Sequence, residues 1–324
     1  MSDPEPLVYA DNNDLSDINN VEKAVSNLPF RGAKRKEKHN GECRLLEQAY
    51  KFNRVWKVPG EVSVTAKYPL NWRRGKCVLA PADGFNDGDP ILRMLYQNQG
   101  DKLPGGGRNP GSSNANFDVV MSGWRANLLG RANGPEFALA QTSEIERLHI
   151  ESPKDYAMKF RRQGICFSVR SIFLDNNIRE SGLDRPDGMI FEDGNDCVEI
   201  TNTKIQGMGI ALQAEACSGY RGHIRLENTF QAAKFSECED MQISWVIDNT
   251  KDDLPTFDFG DCDPGHRIIM DGCIRRTAVL SVMTPYGRDI IARPGQTVQN
   301  GRASVYLSKN SNNRNDYASF RIEV

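Results

Sequence analysis

Apolar and polar positions alternate in short runs along most of this chain, a pattern that predicts β-strands with one buried face. Runs with apolar first and third positions fall at residues 137–139, 158–160, 189–191, 210–212, 233–235, 257–259 and 278–280. No apolar pattern of helical period runs between them, which disfavours helical and leucine-rich solenoids. The alternation therefore predicts an all-β protein.

A three-residue signature recurs at a nearly constant distance along the same region. It consists of an apolar residue, usually a carboxylate, and then usually Asn. The copies begin at Ile150, Leu174, Ile200, Leu226, Ile247 and Met270, with a looser seventh at Ile291. Repetition at this period is typical of a solenoid, in which each unit buries its apolar face against its neighbours. We predict a parallel β-helix with one coil per repeat.

The organisation along the chain follows from these patterns. Residues 1–54 are predicted to form an N-terminal segment with a short capping helix over residues 17–28, which Pro29 ends. Residues 55–324 are assigned to the β-helix. Residues 97–116, rich in Gly, Asn, Pro and Ser, predict a loop inserted between coils. The last strand, at residues 320–324, is expected to pair with a neighbouring chain or a larger assembly.

Composition excludes several classes of protein. The 41 basic and 43 acidic residues give a net charge of −2, which disfavours a dedicated nucleic-acid binder. No apolar stretch approaches the roughly 18 residues of a membrane span, so no membrane insertion is expected. The first residues lack the basic and apolar regions of a secretory signal, which predicts synthesis in the cytoplasm without export by that route.

The eight cysteines predict stacking rather than metal binding. Cys197, Cys217, Cys238 and Cys262 are separated by intervals close to one coil, so we expect a ladder of buried free thiols. The sequence contains no Cys-x-x-Cys pair, and its four histidines are scattered. No zinc site is therefore predicted.

The middle position of the signature forms a candidate row of carboxylates, with neighbouring coils about 4.8 Å apart. It is occupied by Glu151, Asp175, Thr201, Glu227, Asp248 and Asp271. One interpretation is turn chemistry that closes each coil. Another is a site for Ca²⁺ or Mg²⁺, since both prefer oxygen ligands. The third is glycoside hydrolysis, which needs two carboxylates, and its catalytic candidates are Glu227, Asp248 and Asp271. No other cofactor is expected.

A second candidate surface is formed by the outward side chains of the alternating strands. Its predicted substrate-binding residues are Lys159, Arg161, Glu192, Gln213, Lys234 and Asp258. This mixture suits hydrogen bonding to sugar hydroxyls, and its cations could neutralise a uronate or serve a lyase. The alternative is a solvated surface of balanced charge.

The N-terminal stretch resembles the beginning of pectate-lyase-like right-handed parallel β-helices, as found in phage tailspikes and polysaccharide depolymerases. The matching pieces are Asp11-Asn12-Asn13, the helix ending at Leu28, and two strands around Pro59-Gly60. Members of this superfamily often stack asparagines at one turn, which Asn176, Asn202, Asn228 and Asn249 match.

The resemblance implies a phage tailspike-like virion protein that binds host surface polysaccharide and, as an enzyme, cleaves it as a hydrolase or lyase. Expected partners are a bacterial surface polysaccharide, other virion proteins and further copies of the chain, such as a trimer. No nucleic acid is expected. The alternative is a structural or adhesive spike or decoration protein of a virion, without catalysis.

Overall fold

The computed structural model of the protein describes most of the central part of the chain. The described ranges are 41–45, 49–58, 62–66, 77–94, 116–117, 119–138, 140–161, 164–176, 185–192, 194–247, 254–262, 267–270, 280–284, 287–292, 303–309 and 317–323. The predicted capping helix and residues 97–115 of the predicted insertion lie outside them. Within these ranges no helix is long and apolar enough to cross a membrane.

Every regular element of the described ranges is a β-strand. In chain order they are β1 (Gly41–Leu45), β2 (Ala49–Phe52), β3 (Trp56–Val58), β4 (Val62–Ala66), β5 (Val78–Pro81), β6 (Leu92–Met94), β7 (Asn116–Phe117), β8 (Val120–Ser122), β9 (Arg125–Asn127), β10 (Glu136–Ala138), β11 (Ala140–Gln141), β12 (Glu144–Glu146), β13 (His149–Glu151), β14 (Tyr156–Arg161), β15 (Ser168–Arg170), β16 (Phe173–Asp175), β17 (Asp187–Phe191), β18 (Glu199–Gln206), β19 (Ile210–Glu215), β20 (Arg221–Glu227), β21 (Gln231–Ser236), β22 (Gln242–Ile247), β23 (Phe257–Asp261), β24 (Arg267–Met270), β25 (Leu280–Thr284), β26 (Gly287–Ala292), β27 (Ala303–Lys309) and β28 (Tyr317–Glu323).

Two long sheets build the solenoid. One has 16 strands and the other has 10, and β7 and β11 form a separate pair. Each strand from β1 to β25 pairs in parallel with at least one strand of a neighbouring coil, and the pairing of β23 with β25 is short. The expected parallel β-helix is confirmed.

The coils change shape along the axis. In the early coils, two short strands of the larger sheet meet at a bend, as β12 and β13 do at Arg147, where φ is 52°. From β18 onward one long strand replaces the two, because β18 pairs with both β15 and β16. Its register shifts between Ile200 and Thr203, where the earlier coils bend.

The interior is a stack of apolar side chains that repeat from coil to coil. Phe160 lies between Phe137 and Phe191, with ring centroids 5.2 Å and 4.3 Å away. On the larger sheet, one inward row consists of Ile150, Leu174, Ile205, Leu226 and Ile247, all buried. Full burial of one such side chain stabilises the folded state by about 1.5–3 kcal/mol. The alternating pattern therefore determines which side chains form the core.

The predicted repeat register is wrong at one copy. Asp175 pairs with Gln206 rather than Thr201, and Thr201 pairs with Arg170 at the preceding bend. The coil that links β16 to β18 is longer than its neighbours, so a constant period places this signature too early. Among the described residues, the row that was predicted to be acidic is therefore occupied by Glu151, Asp175, Gln206 and Glu227, of which Gln206 is uncharged.

The same shift separates the predicted asparagine stack. Asn202 donates through Nδ2 to Oγ of Ser171, 3.0 Å away, whereas Asn176 donates to the carbonyl of Gly207, 3.2 Å away. The two asparagines thus occupy different corners, and Asn249 lies outside the described residues. The predicted run at 210–212 is also offset, because Leu212 pairs with Met189.

The cysteine ladder is correct for three members and wrong for the fourth. Cys217, Cys238 and Cys262 are buried, and Cys238 Sγ lies 3.3 Å from the carbonyl oxygen of Ala214 in the preceding coil. Cys197 is instead exposed at a corner, one coil from Cys166. The described cysteines are free thiols, as predicted.

The solenoid also begins and ends differently from the prediction. β1 and β2 already pair with the second coil, so the β-helix includes residues before the predicted boundary at 55. At the other end, β26, β27 and β28 pair antiparallel. The loose seventh signature at Ile291 lies in β26 and is a return strand rather than another coil.

Candidate functional site

One row of outward side chains runs along the ten-stranded sheet. The register joins Glu136, Lys159, Ile190, Gln213, Lys234 and Asp258 in successive coils. Equivalent positions in adjacent coils are about 4.8 Å apart. Four of the six residues predicted to bind substrate therefore lie in a single row, and Arg161 and Glu192 lie on the same sheet, two residues beyond that row.

A groove lies over this sheet and has a volume of about 410 Å³. Its lining comes from four adjacent strands, β17, β19, β21 and β23. The lining residues are Ile190, Phe191, Glu192, Gln213, Ala214, Glu215, Lys234, Phe235, Ser236 and Asp258. The structure thus brings together four of the predicted substrate-binding residues in one groove, and we call it the sheet groove.

An ion pair flanks one side of the sheet groove. Lys159 Nζ lies 2.6 Å from Oε1 of Glu192, and both side chains are partly exposed. The same Nζ lies 5.7 Å from the centre of the Tyr156 ring. Lys159 therefore neutralises Glu192 at the groove margin, while Lys234 lies exposed further along the row.

A buried carboxylate next to this margin was not found from the sequence. Glu136 Oε2 accepts from Nε of Arg93 at 2.6 Å, and Oε1 accepts from the Tyr156 hydroxyl at 2.7 Å. Arg161 Nε lies 3.9 Å from Oε2 of the same carboxylate. Burial of the Tyr156 hydroxyl raises its pKa well above the ordinary value, and the negative charge of Glu136 raises that pKa further. The sequence feature that could have indicated Glu136 is the presence of charges of both signs along one outward row.

A second carboxylate controls the orientation of Gln213. Asp187 accepts from the backbone N–H of Ile210 at 3.0 Å and from Nε2 of Gln213. Burial raises the pKa of Asp187, while these two hydrogen bonds and the charge of Lys234 oppose the shift. Because Nε2 is engaged by Asp187, the Gln213 amide is held in one orientation, in which its carbonyl oxygen and its second N–H can face a ligand in the groove.

The one predicted catalytic residue that the structure describes lies outside the sheet groove. Glu227 is on the sixteen-stranded sheet, where its carboxylate lies 2.6 Å from Nζ of Lys204. Both side chains are about one-third exposed. Asp248 and Asp271 lie outside the described residues. Glu227 therefore lies on a different sheet from the predicted substrate-binding residues, and the catalytic role stays a prediction.

A histidine and two carboxylates meet on the outer face of the sixteen-stranded sheet. His149 Nε2 lies 3.1 Å from Oε1 of Glu151, and Asp175 is opposite Glu151 in the next coil. Arg125 donates to Oε2 of Glu151. Burial lowers the pKa of His149 to about 4, and the charge of Glu151 only partly opposes this shift. The sequence signal was His149 two residues before Glu151, which places both side chains on one face of a strand.

Comparisons with known proteins give similarities of architecture. A protein of Geobacillus virus E2, ORF18, shares 6% identity over 94% of this chain and 73% of its own, with a TM-score of 0.46. The endo-xylogalacturonan hydrolase of Aspergillus tubingensis shares 10% over 76% and 86%, with a TM-score of 0.39. The Streptococcus pneumoniae surface adhesin PfbA shares 8% over 67% and 80%, with a TM-score of 0.32.

The chain is a parallel β-helix. The fold is established by the parallel pairing of its own coils. The similar structures share little sequence with it and add no argument. No protein-family profile and no curated protein matches the sequence. The architecture alone does not select an activity, because one fold supports many functions.

Proposed function

We propose that this β-helix binds a bacterial surface polysaccharide along the sheet groove. The observation that carries the proposal is the groove itself, which presents Gln213, Lys234, Asp258 and Glu192 from successive coils. A polysaccharide is a repeating polymer, and a row that repeats every ~4.8 Å offers hydrogen-bonding groups to several consecutive sugars.

The chemistry of the groove favours binding over cleavage. Its amide, ammonium and carboxylate groups can donate to and accept from sugar hydroxyls. Lys234 supplies a positive charge for an acidic sugar. Glu192, a carboxylate at the margin, is engaged by Lys159. The proposed primary function is therefore recognition.

We further propose that the protein acts as a component of a phage virion, of the tailspike type, in attachment to a host surface. The coil architecture and the outward charged row support this role. The alternative role is a structural or adhesive spike without catalysis. Glycan binding is compatible with both roles. Cleavage by a hydrolase or lyase would separate them.

Binding is tested with a panel of neutral and acidic bacterial surface polysaccharides and the full chain, by calorimetry or surface-based kinetics. Lys234→Gln should weaken binding of an acidic polysaccharide by about 10- to 100-fold, since a hydrogen bond to a charged group contributes about 1.5–3 kcal/mol. Arg225→Gln is the matched control, because Arg225 is an exposed cation on the sixteen-stranded sheet. Equal losses of affinity in both variants would contradict binding of the polysaccharide in the sheet groove.

Cleavage is tested on the same panel by following new reducing ends and unsaturated products. Glu227→Gln, Asp248→Asn and Asp271→Asn are compared with the wild-type chain. Loss of cleavage in Glu227→Gln would assign a glycosidase to the sixteen-stranded sheet, and loss in either of the other two variants would assign it to the acidic residues of the repeat signature. Cleavage that survives all three but is lost in Lys234→Gln would assign the reaction to the sheet groove. Binding without products would support the adhesive role.

A further inference from the structure

The cluster around His149 has the composition of a metal site. His149 and Glu151 project from the same face of β13, and Asp175 lies directly opposite Glu151 on β16. The three side chains each offer one ligand atom, and these atoms all lie within 4.8 Å of one another. Two coils therefore contribute ligands to one point on the outer face of the sheet.

The distance between two of these atoms fits a shared ion. His149 Nε2 and Glu151 Oε1 are 3.1 Å apart, yet neither ring nitrogen of His149 forms a hydrogen bond of normal geometry within the described structure. Two ligand atoms that each lie about 2.1 Å from one metal are about 3.0–3.4 Å apart at tetrahedral or octahedral angles. A buried imidazole in this position gains a partner when an ion occupies the gap.

The surroundings hold the ligands in this arrangement. Arg125 binds the other carboxylate oxygen of Glu151, which leaves Oε1 directed towards His149. The imidazole stacks on Phe173 of the next coil, with ring centroids 4.6 Å apart. Such outer contacts fix the orientation of a ligand before a metal arrives.

The charge around the cluster favours a divalent cation. Glu151 and Asp175 bring two carboxylates, and Arg125 is paired with one of them, Glu151. The side chains of His149 and Glu151 are 12% and 10% exposed, so the charge of Glu151 is only weakly screened by solvent.

We propose that His149, Glu151 and Asp175 bind one divalent transition-metal ion, such as Zn²⁺ or Co²⁺, which clamps two neighbouring coils together. Imidazole suits these ions, whereas Ca²⁺ and Mg²⁺ prefer oxygen ligands throughout. The site differs from the oxygen-only cation site that the acidic row suggested from the sequence. It is independent of the sheet groove, which lies on the other sheet.

The probe is Co²⁺, titrated into the full chain after treatment with a chelator and followed by visible absorption. We expect saturation at one equivalent, with no thiolate charge-transfer band. His149→Gln and Asp175→Asn should abolish this signal or weaken binding at least tenfold. His223→Gln is the matched control, since His223 is an exposed histidine on the same sheet, and it should bind like the wild type.

Two further measurements keep the proposal testable if a ligand variant folds poorly. Zn²⁺ should displace Co²⁺ from the wild-type chain and raise its Tm, whereas excess Ca²⁺ should not displace Co²⁺. The double variant Cys166→Ser/Cys197→Ser should retain the signal, because these exposed thiols are not ligands. Absence of binding by the wild type, binding retained in His149→Gln, or a signal lost with the thiols would overturn the proposal.

Discussion

At the scale of single residues, buried carboxylates determine how the ten-stranded sheet presents its charges. Glu136 is 6% exposed and holds Arg93, Arg161 and Tyr156 at one end of the outward row. The alternation of the sequence predicted which residues face outward, but it could not predict which of them neighbouring side chains would bury. Glu136 therefore went unnoticed, while Gln213 and Lys234 were placed correctly on the outward face.

Glu136→Gln is expected to lower the free energy of unfolding by about 3 kcal/mol. Removal of one partner from a buried ion pair leaves the remaining charges without compensation, and here two arginines remain. Glu144→Gln is the control, because Glu144 pairs with Arg170 where both side chains are 40% exposed or more. An exposed pair contributes about 0–1 kcal/mol. Denaturant unfolding measures both variants, and equal losses would contradict the importance of burial.

Asp187→Asn is expected to gain stability over the wild type as pH rises from acidic to neutral values. Burial raises the pKa of Asp187, so the folded protein holds this proton more tightly than the unfolded chain does. The resulting stabilisation is present below pH 3.8 and is lost as pH rises through the raised pKa.

The difference in unfolding free energy between Asp187→Asn and the wild type is measured at pH 4 and pH 7. The charges that face this carboxyl include Lys234, and the Gln213 amide can turn over to accept from Asn. Asp83→Asn, at an exposed turn, controls for the loss of a negative charge. The prediction would be contradicted if the difference in unfolding free energy stays constant with pH, or if Asp187→Asn becomes less stable relative to the wild type as pH rises.

At the scale of elements, the spacing of the coils could be predicted but their exact register could not. Apolar alternation identified most strands of the ten-stranded sheet, because inward residues such as Phe160 and Phe191 must stack. The register failed at β18, since an apolar-polar pair occurs twice on this strand and Asn follows the pair at 200–201, whereas Gly207 follows the pair at 205–206. Thr201 and Gln206 are five residues apart on one strand, and only pairing with β16 selects Gln206.

Close contact between coils makes Gly134 a sensitive position. A Cβ atom at Gly134 would lie 1.6 Å from the carbonyl oxygen of Ala157 in the next coil. Since backbone atoms cannot move aside without separating the coils, Gly134→Ala is expected to cost about 3 kcal/mol or more. Gly84→Ala meets no atom within 4 Å, and only its φ of +80° opposes the substitution. Its expected cost is about 1–2 kcal/mol, and thermal unfolding compares the two.

At the scale of the whole molecule, the solenoid is held by contacts between neighbouring coils, so its stability should vary along the axis. β20 pairs with β18 on one side and β22 on the other. β28 pairs with β27, and within the described part of the chain it has no neighbour on its other side. Opening β20 breaks two interfaces between strands, whereas opening β28 breaks one.

Amide hydrogen exchange of a dilute sample is therefore expected to be slower over 221–227 than over 317–323. The edge of β28 that has no neighbour among the described strands presents backbone N–H and C=O groups that another strand can bind. If the C-terminal strand pairs with a neighbouring chain, as the sequence predicts, protection of 317–323 should rise with protein concentration while 221–227 stays unchanged. Protection of 317–323 that is already equal to that of 221–227 in a demonstrated monomer would contradict the gradient, because it would require a partner for β28 within the same chain.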